Sequence, residues 1–329
     1  KFGHWENSID LFFFYIFHVL YLLCLNKNFM KKITIFTPTY NRAYCLGNCY
    51  ESLTRQNNGA FIWLIIDDGS SDDTKALVDS WIAEHKIDII YHYQKNQGMH
   101  GAHNAAYRLI QTELNVCVDS DDFMPDDAVE KILNLWDKYG GEKYAGIIGL
   151  DIDRKNSIIG TPFPDNLKEC KYFQLKSKYN VVGDKKFIYR TDVIKKYPEY
   201  PIFKEERFVP LGYKYMLIDQ DYSLLCFNEV FCNVEYMEDG SSLNIFKQYK
   251  KHPKGFTHER KERMKFSYTF KERFKNAIHY ISCNIMTKNW KFLSESPKKI
   301  MTIFALPFGI VLYLYIMNTT KKGVMKKDN

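Results

Sequence analysis

The 329-residue sequence has no glycine-rich phosphate cradle: neither GxGxxG nor GxxxxGK[ST] occurs. Neither dinucleotide binding nor phosphate-loop binding is therefore indicated. Its 8 cysteines are scattered. Cys45 and Cys49 stand one helical turn apart, but no second pair and no nearby histidine completes a metal site. Cys117 lies in an apolar stretch and reads as a small buried hydrophobe. Cys24, Cys170, Cys226, Cys232 and Cys283 show no pairing pattern either, so reduced, structural thiols are expected. Zinc-finger spacing, an RNA-binding aromatic signature and an arginine-rich arm are all missing, and nucleic acid is not an expected partner. An EF-hand is excluded as well, because neither its glycine nor its closing glutamate falls at the required spacing. Disorder is ruled out by 46% hydrophobic and 16% aromatic residues.

What is present begins with a charge asymmetry. The formal charge is +7, with basic residues crowded between Lys247 and Lys327 and acidic clusters in the first half. That arrangement suits an anionic membrane surface. Two apolar stretches agree with it. Ile9 to Leu25 is interrupted only by Asp10 and His18, about the shortest length that spans a bilayer. It is followed by Lys27, Lys31 and Lys32, which would hold the downstream chain on the cytoplasmic side. The chain opens on Lys1, however, and Met30-Lys31-Lys32-Ile33 reads as an alternative start running into a strand. Ile300 to Met317 carries no charge and is flanked by Lys298-Lys299 and Lys321-Lys322. Pro307 and Gly309 in its middle favour a kinked or interfacial helix over a straight span. Residues 256–291 mix Lys and Arg with Phe266, Tyr268, Phe270 and Phe274, which predicts a basic amphipathic surface helix.

From residue 30 the pattern alternates strand and helix. Ile33 to Phe36, Phe61 to Ile66, Ile87 to Tyr93 and Leu114 to Val118 read as strands. Cys45 to Gln56, Thr74 to Glu84 and Ala102 to Gln111 read as helices. This is an α/β fold with a mostly parallel sheet, whose ligands bind beyond the carboxyl ends of the strands. The strands end in polar clusters: Thr37 to Arg42, Asp67 to Asp72, and Asp119 to Asp122. Without a glycine cradle, a bound diphosphate needs other charge neutralisation. A divalent cation on the carboxylates of Asp121 and Asp122 would supply it. The bland alternative is a solvated turn with Asp126 or Asp127 as helix cap.

Four motifs in this order resemble the family-2 glycosyltransferases of the GT-A fold, from Ile33 to about Asn244. They are TPTYNR at 37–42, DDGSSDDT at 67–74, NQGMHGAHNAA at 96–106 and DSDD at 119–122. The segments GDKKFIYRTDVIKKYP at 183–198 and FKEERFVP at 203–210 are similar to a bacterial subgroup acting on surface polysaccharides, as is the apolar tail. The resemblance implies a GT-A domain over residues 30–250, after an apolar leader (1–29) and before a helical, membrane-associated tail (251–329). It implies an inverting transferase that moves a sugar from a nucleotide-sugar, a UDP-sugar by expectation, to a lipid-linked or polysaccharide acceptor. The expected location is the cytoplasmic face of the membrane.

Carried over residue by residue, the resemblance puts Thr37, Tyr40 and Asp68 around the nucleobase, with Pro38, Asn41, Arg42 and Asp67 beside them. Asp68 would accept from a base N–H, as expected for uracil, while Asp67 would equally serve to shape the turn. His100, His103 and Asn104 would lie near the diphosphate or donor sugar, core packing or capping being the other reading of each histidine. Asp121 would meet the ribose or the metal, Asp122 would ligate Mg²⁺ or Mn²⁺, and Asp119 would support them. Inversion needs a carboxylate that takes the acceptor hydroxyl's proton. Glu206 matches it best, with Asp184 and Glu205 next, while Asp219 and Asp221 are expected at the surface of the following helix. One departure stands out: the subgroup carries an acid after FVP, where this chain has Leu211. A catalytically impaired nucleotide-sugar binder and a sugar nucleotidyltransferase are the competing readings. The second would want a glycine- and lysine-rich loop after the first strand, which TPTYNRAYCLG is not.

Overall fold

The computed structural model describes residues 31–235 and 245–322. The apolar stretch from Ile9 to Leu25 lies outside them. Eight strands form one sheet: β1 (Ile33–Thr39), β2 (Phe61–Asp67), β3 (Ile89–Tyr93), β4 (Leu114–Cys117), β5 (Tyr144–Ile152), β6 (Glu169–Cys170), β7 (Lys185–Arg190) and β8 (Ser223–Asn233). Their order is β3-β2-β1-β4-β7-β5-β8-β6. The first four are parallel, as the alternating pattern predicts, and β5 pairs β8 in parallel. The pairs β4–β7, β5–β7 and β6–β8 are antiparallel, so the sheet is mixed.

Both faces of the sheet are covered, which is why β1 and β2 read as continuous apolar runs. On one face lie α1 (Ala43–Thr54), α2 (Thr74–Glu84) and α4 (Ala128–Tyr139). Leu46, Tyr50, Trp81, Ile132 and Trp136 from these helices pack on Ile35, Trp63 and Val116. The Tyr50 and Trp81 rings stack 4.4 Å apart. On the other face lie α3 (Met99–Leu109), α6 (Thr191–Lys196) and α7 (Gly212–Asp221), with α5 (Gln174–Tyr179) beyond them. Ala102, Ala106, Tyr107, Val193 and Ile218 meet Phe36, Leu64 and Ile148 there. Each such side chain removed from water contributes about 1.5–3 kcal/mol. The chain runs from β1 outward through β2 to β3 and then returns to lay β4 on the other side of β1, so the strand order reverses there. A crevice therefore opens between the carboxyl ends of β1 and β4, the place where such sheets bind ligands.

The C-terminal part departs from the single basic surface helix expected over 256–291. It forms α8 (Ile245–Lys251), α9 (Pro253–Phe266), α10 (Phe270–Met286), α11 (Phe292–Glu295) and α12 (Lys299–Lys322). A capping box from Thr269 and Glu272 starts α10. One face of α10 is buried through Ala277, Tyr280 and Ile281, which pack on Met264 and Ala305. The basic residues thus decorate a packed helical layer. The last helix runs unbroken through Pro307, and Gly309 permits its close approach to Ile281 of α10.

Asn104 on α3 ties that helix to the backbone at Tyr200. Its amide donates to the Tyr200 carbonyl at 2.8 Å and accepts from the Tyr200 N–H at 2.9 Å, all of it buried. Asn104→Ala leaves both backbone groups without partners and should lower unfolding stability by about 2–3 kcal/mol. Urea denaturation checks this, and an unchanged midpoint would contradict it.

Candidate functional site

The loops beyond β1 and β2 are locked together before any ligand arrives. Asn41 takes a left-handed backbone, φ 52°. Its N–H donates to Ser70 Oγ at 2.8 Å, and its Oδ1 accepts from the Ser71 N–H at 2.8 Å. Asp72 accepts from the Ala43 N–H at the start of α1. Asp67 takes the Ser70 N–H at 2.7 Å and the Tyr91 hydroxyl at 2.5 Å, so it shapes the turn. Asp68 binds Gln94 Nε2 at 2.7 Å and the N–H groups of Gln97 and Gly98 at 2.8 and 2.7 Å. Burial pushes its carboxyl above the usual range in spite of these donors. Asp68 thereby fastens the segment entering α3 to the end of β2.

That segment packs closely on the 203–210 stretch. Gly98 has φ 82°, and a Cβ there would stand 1.9 Å from the Arg207 carbonyl oxygen. His100, only 1% exposed, has no hydrogen-bond partner at either ring nitrogen among the described residues. Burial, then His252 and Arg207, depress it to about 4, so it is neutral. His103 is a core residue: Nδ1 lies 3.1 Å from the Tyr107 hydroxyl and its ring stands edge-on to Phe36. Thr37, expected beside the nucleobase, is also in the core, where its hydroxyl accepts from Trp63 Nε1 at 2.9 Å. Tyr40, by contrast, is 49% exposed at the mouth of the crevice, with Pro38 half-buried behind it.

Across the crevice the β1 and β4 ends meet. Arg42 donates to the Tyr44 hydroxyl at 2.7 Å and stands 3.6 Å from Asp121. Asp122 is buried; its Oδ1 accepts from the Glu235 N–H at 3.2 Å and its Oδ2 lies 3.5 Å from Lys186 Nζ. Asp119 accepts from the Cys117 thiol at 3.6 Å. Two further residues belong here that the sequence reading missed. Asp151, 2% exposed near the end of β5, has an Oδ1 without a hydrogen-bond partner among the described residues. Lys186, on β7, is 8% exposed. Burial pushes Asp122 up to about 7 and Asp151 up to about 6, in each case against the pull of Lys186. Asp119, Asp122, Asp151, Asp184 and Lys186 all line one cavity of about 950 Å³. Asp151 carried the same signal as the other clusters, an acid ending an apolar run. Nothing in the pattern of β7 marks Lys186.

The candidate bases separate cleanly. Glu206 is 5% exposed. Its Oε1 and Oε2 accept from the N–H groups of Lys254 and Gly255 at 2.9 and 2.8 Å. It caps the first turn of α9. Asp184 is exposed on the cavity wall, at the entry to β7. Asp219 is not the surface acid expected: it is buried and accepts from the N–H groups of Tyr172 and Phe173 at 2.8 and 2.9 Å. Asp221 is exposed and takes the Tyr197 hydroxyl.

For a divalent cation the donor chemistry fits. Asp119, Asp121 and Asp122 offer hard oxygens, and the unpartnered Asp151 Oδ1 leaves negative charge for a cation to answer. Among the described residues no three acidic, histidine or cysteine side chains converge closely enough to cage an ion by themselves. The carboxylate of Glu206 gives the most direct check on the assignment of roles. Glu206→Ala frees two N–H groups of α9 and should cost about 1–2 kcal/mol of stability. A urea unfolding curve indistinguishable from the parent would contradict the capping role.

Residues 34–197 match the family model described as glycosyl transferase family 2. Among curated proteins, the chain is 32% identical to the chondroitin synthase of Escherichia coli over 131 residues, 40% of this chain and 19% of that one. It is 29% identical to the teichoic acid poly(glycerol phosphate) polymerase of Staphylococcus epidermidis over 113 residues, 34% of this chain and 16% of that one. The matched region is thus under a fifth of either relative's length. Among solved structures, S. aureus TarS 1–349 in complex with UDP-GlcNAc aligns with a TM-score of 0.57 at 14% identity, covering 89% of this chain and 92% of that one. The mannosyltransferase PcManGT from Pyrobaculum calidifontis, in complex with GDP-Man and Mn²⁺, aligns with a TM-score of 0.53 at 13% identity, covering 86% and 74%. These two likenesses are of fold, and the fold is that of GT-A glycosyltransferases. The family match runs from β1 through α6, the stretch that carries every loop of the crevice from Thr37 to Lys186, and through it the chain belongs to glycosyl transferase family 2 and is a glycosyltransferase.

Proposed function

We propose that this glycosyltransferase moves a sugar, with inversion, from a UDP-sugar to a carbohydrate or lipid-linked acceptor in bacterial surface-glycan synthesis. The observation that carries the proposal is the single cavity into which β4, β5 and β7 deliver Asp119, Asp122, Asp151, Asp184 and Lys186. It adjoins the β1–β4 crevice, where Tyr40 and the end of β2 would border the base. Asp184 is the proposed base, because it is the exposed acid of this wall. Its carboxylate would hold the acceptor hydroxyl and take the proton as that oxygen attacks the anomeric carbon opposite the leaving diphosphate. Mg²⁺ or Mn²⁺ on Asp121 and Asp122, with Asp119 in support and phosphate oxygens completing its shell, would stabilise the departing charge as a Lewis acid. The names of the chondroitin synthase and the teichoic acid polymerase support a surface glycan as product. UDP-GlcNAc in the TarS structure supports a UDP-sugar as donor. A nucleotide-sugar binder without transfer activity is the competing reading, favoured by Leu211, which stands just before α7 where the subgroup carries an acid.

We further propose that the enzyme rests on the cytoplasmic face of a membrane through α12. Lys299–Thr319 is long and apolar enough to cross a bilayer, with a mean hydropathy of 2.2. Only one side of it packs on α10. Ile300, Phe304 and Val311 on the other are 73%, 69% and 65% exposed. An apolar face with lysines at both ends suits an interface of anionic lipid.

Asp184→Asn should lower turnover by about 10²–10⁴-fold, read as acceptor-dependent UDP release, while the UDP-sugar dissociation constant stays within about twofold. Near-normal turnover would remove Asp184 as the base, and release by neither protein from any UDP-sugar would favour the inactive binder. Replacing Ile300, Phe304 and Val311 together by Gln should release the protein from anionic vesicles in a sedimentation assay. Undiminished sedimentation would place the anchor elsewhere.

A further inference from the structure

We propose that the Lys186 ammonium is a built-in counter-charge for the donor's diphosphate, sharing with a divalent cation the neutralisation of the leaving group. The inference rests on the donor reading above. An ammonium with so little exposure is costly to bury unless it is paired. Lys186 is surrounded accordingly: Asp122 Oδ2 stands 3.5 Å away. Asp119 and Asp151 line the same cavity beside it. The neighbouring Lys185 does not share the place. Its Nζ is turned onto the carbonyls of Ile159, Val182 and Asp184 at 3.1, 2.9 and 3.1 Å.

Lys186 is also not consumed by its ion pair. The separation of 3.5 Å exceeds the roughly 2.7–2.9 Å of a charge-assisted hydrogen bond. An ammonium has three donors and no fixed fork, so it can turn one to a phosphate oxygen without leaving Asp122. It lines the cavity, where an anion can reach it. A chain without a glycine cradle has few other ways to meet diphosphate charge. The three carboxylates around one ammonium leave the cluster negative, and so still receptive to a metal ion.

The test is calorimetric titration of the full chain with UDP and with uridine, each in EDTA and in Mn²⁺. The parent protein should bind UDP in EDTA within about tenfold of its affinity in Mn²⁺. Lys186→Met should weaken UDP binding in EDTA by about 10–100-fold and recover most of it in Mn²⁺. Lys186→Arg should behave as the parent, and uridine binding should be the same in all three. A general collapse of the fold would weaken uridine equally and count against the proposal. So would parent binding that needs Mn²⁺ outright, an arm that depends on no variant. If the parent binds neither UDP nor uridine under any condition, the donor reading falls and takes the inference with it. If UDP binding is metal-dependent and indifferent to position 186, only the inference falls.

Discussion

Carboxylates at the ends of buried strands have to be answered by a donor or a cation, and the way each is answered sorts this site. A charge taken out of water without partners costs far more than folding can spare. Asp67 and Asp68 are answered by turn N–H groups and side chains from the β3 region, Asp219 by the 172–173 backbone, and Glu206 by the first turn of α9. These hydrogen bonds scaffold the loops. Asp121 is answered by Arg42 across the crevice. Asp122 and Asp151 share Lys186, and one oxygen of Asp151 is left over. Incomplete compensation marks the place where a ligand's own charges have room to act.

The scaffolding has a second consequence. Because Asn41 binds Ser70 and Ser71, and Asp72 accepts from the Ala43 N–H, the loops beyond β1 and β2 are tied in register. Preorganisation of this kind spares binding energy that would otherwise order the loops. The same logic extends to the 203–210 stretch, held against α3 by Gly98 and tied to α9 by Glu206. The C-terminal helices are therefore linked to α3 through this stretch. A membrane beneath α12 would sit at a defined orientation to the cavity.

Much of this was legible in the sequence. Strands buried on both faces leave continuous apolar runs, so β1 to β4 and the helices between them were placed within a few residues. Their polar ends pointed at one edge, since parallel strands all finish on the same side. The later strands were not read, because β5 is broken by glycines and β7 begins among lysines. Roles were harder than positions. Glu206 looked like a base in its motif, but its partners lie 48 and 49 residues further on, in a helix whose docking no local pattern reveals. Thr37 and His103 followed the family motif, yet strand alternation and helix phase turn both into the core. Asp219 was assigned to solvent because a late helical position is usually exposed; the Tyr172–Phe173 turn covers it. Lys186 carried no signal, since a lysine in a strand is ordinarily a solvated one.

The central claim is that a nucleoside diphosphate lies across the β1–β4 crevice with its phosphates at Asp122 and Lys186. Crystallographic determination of the UDP complex tests it most directly. The account predicts uracil between Tyr40, just beyond β1, and the end of β2, with a phosphate oxygen within hydrogen-bond reach of Lys186 Nζ. A nucleotide bound instead in the cavity of about 660 Å³ at the opposite edge of the sheet, between Glu113, Trp136 and Arg190, would contradict it.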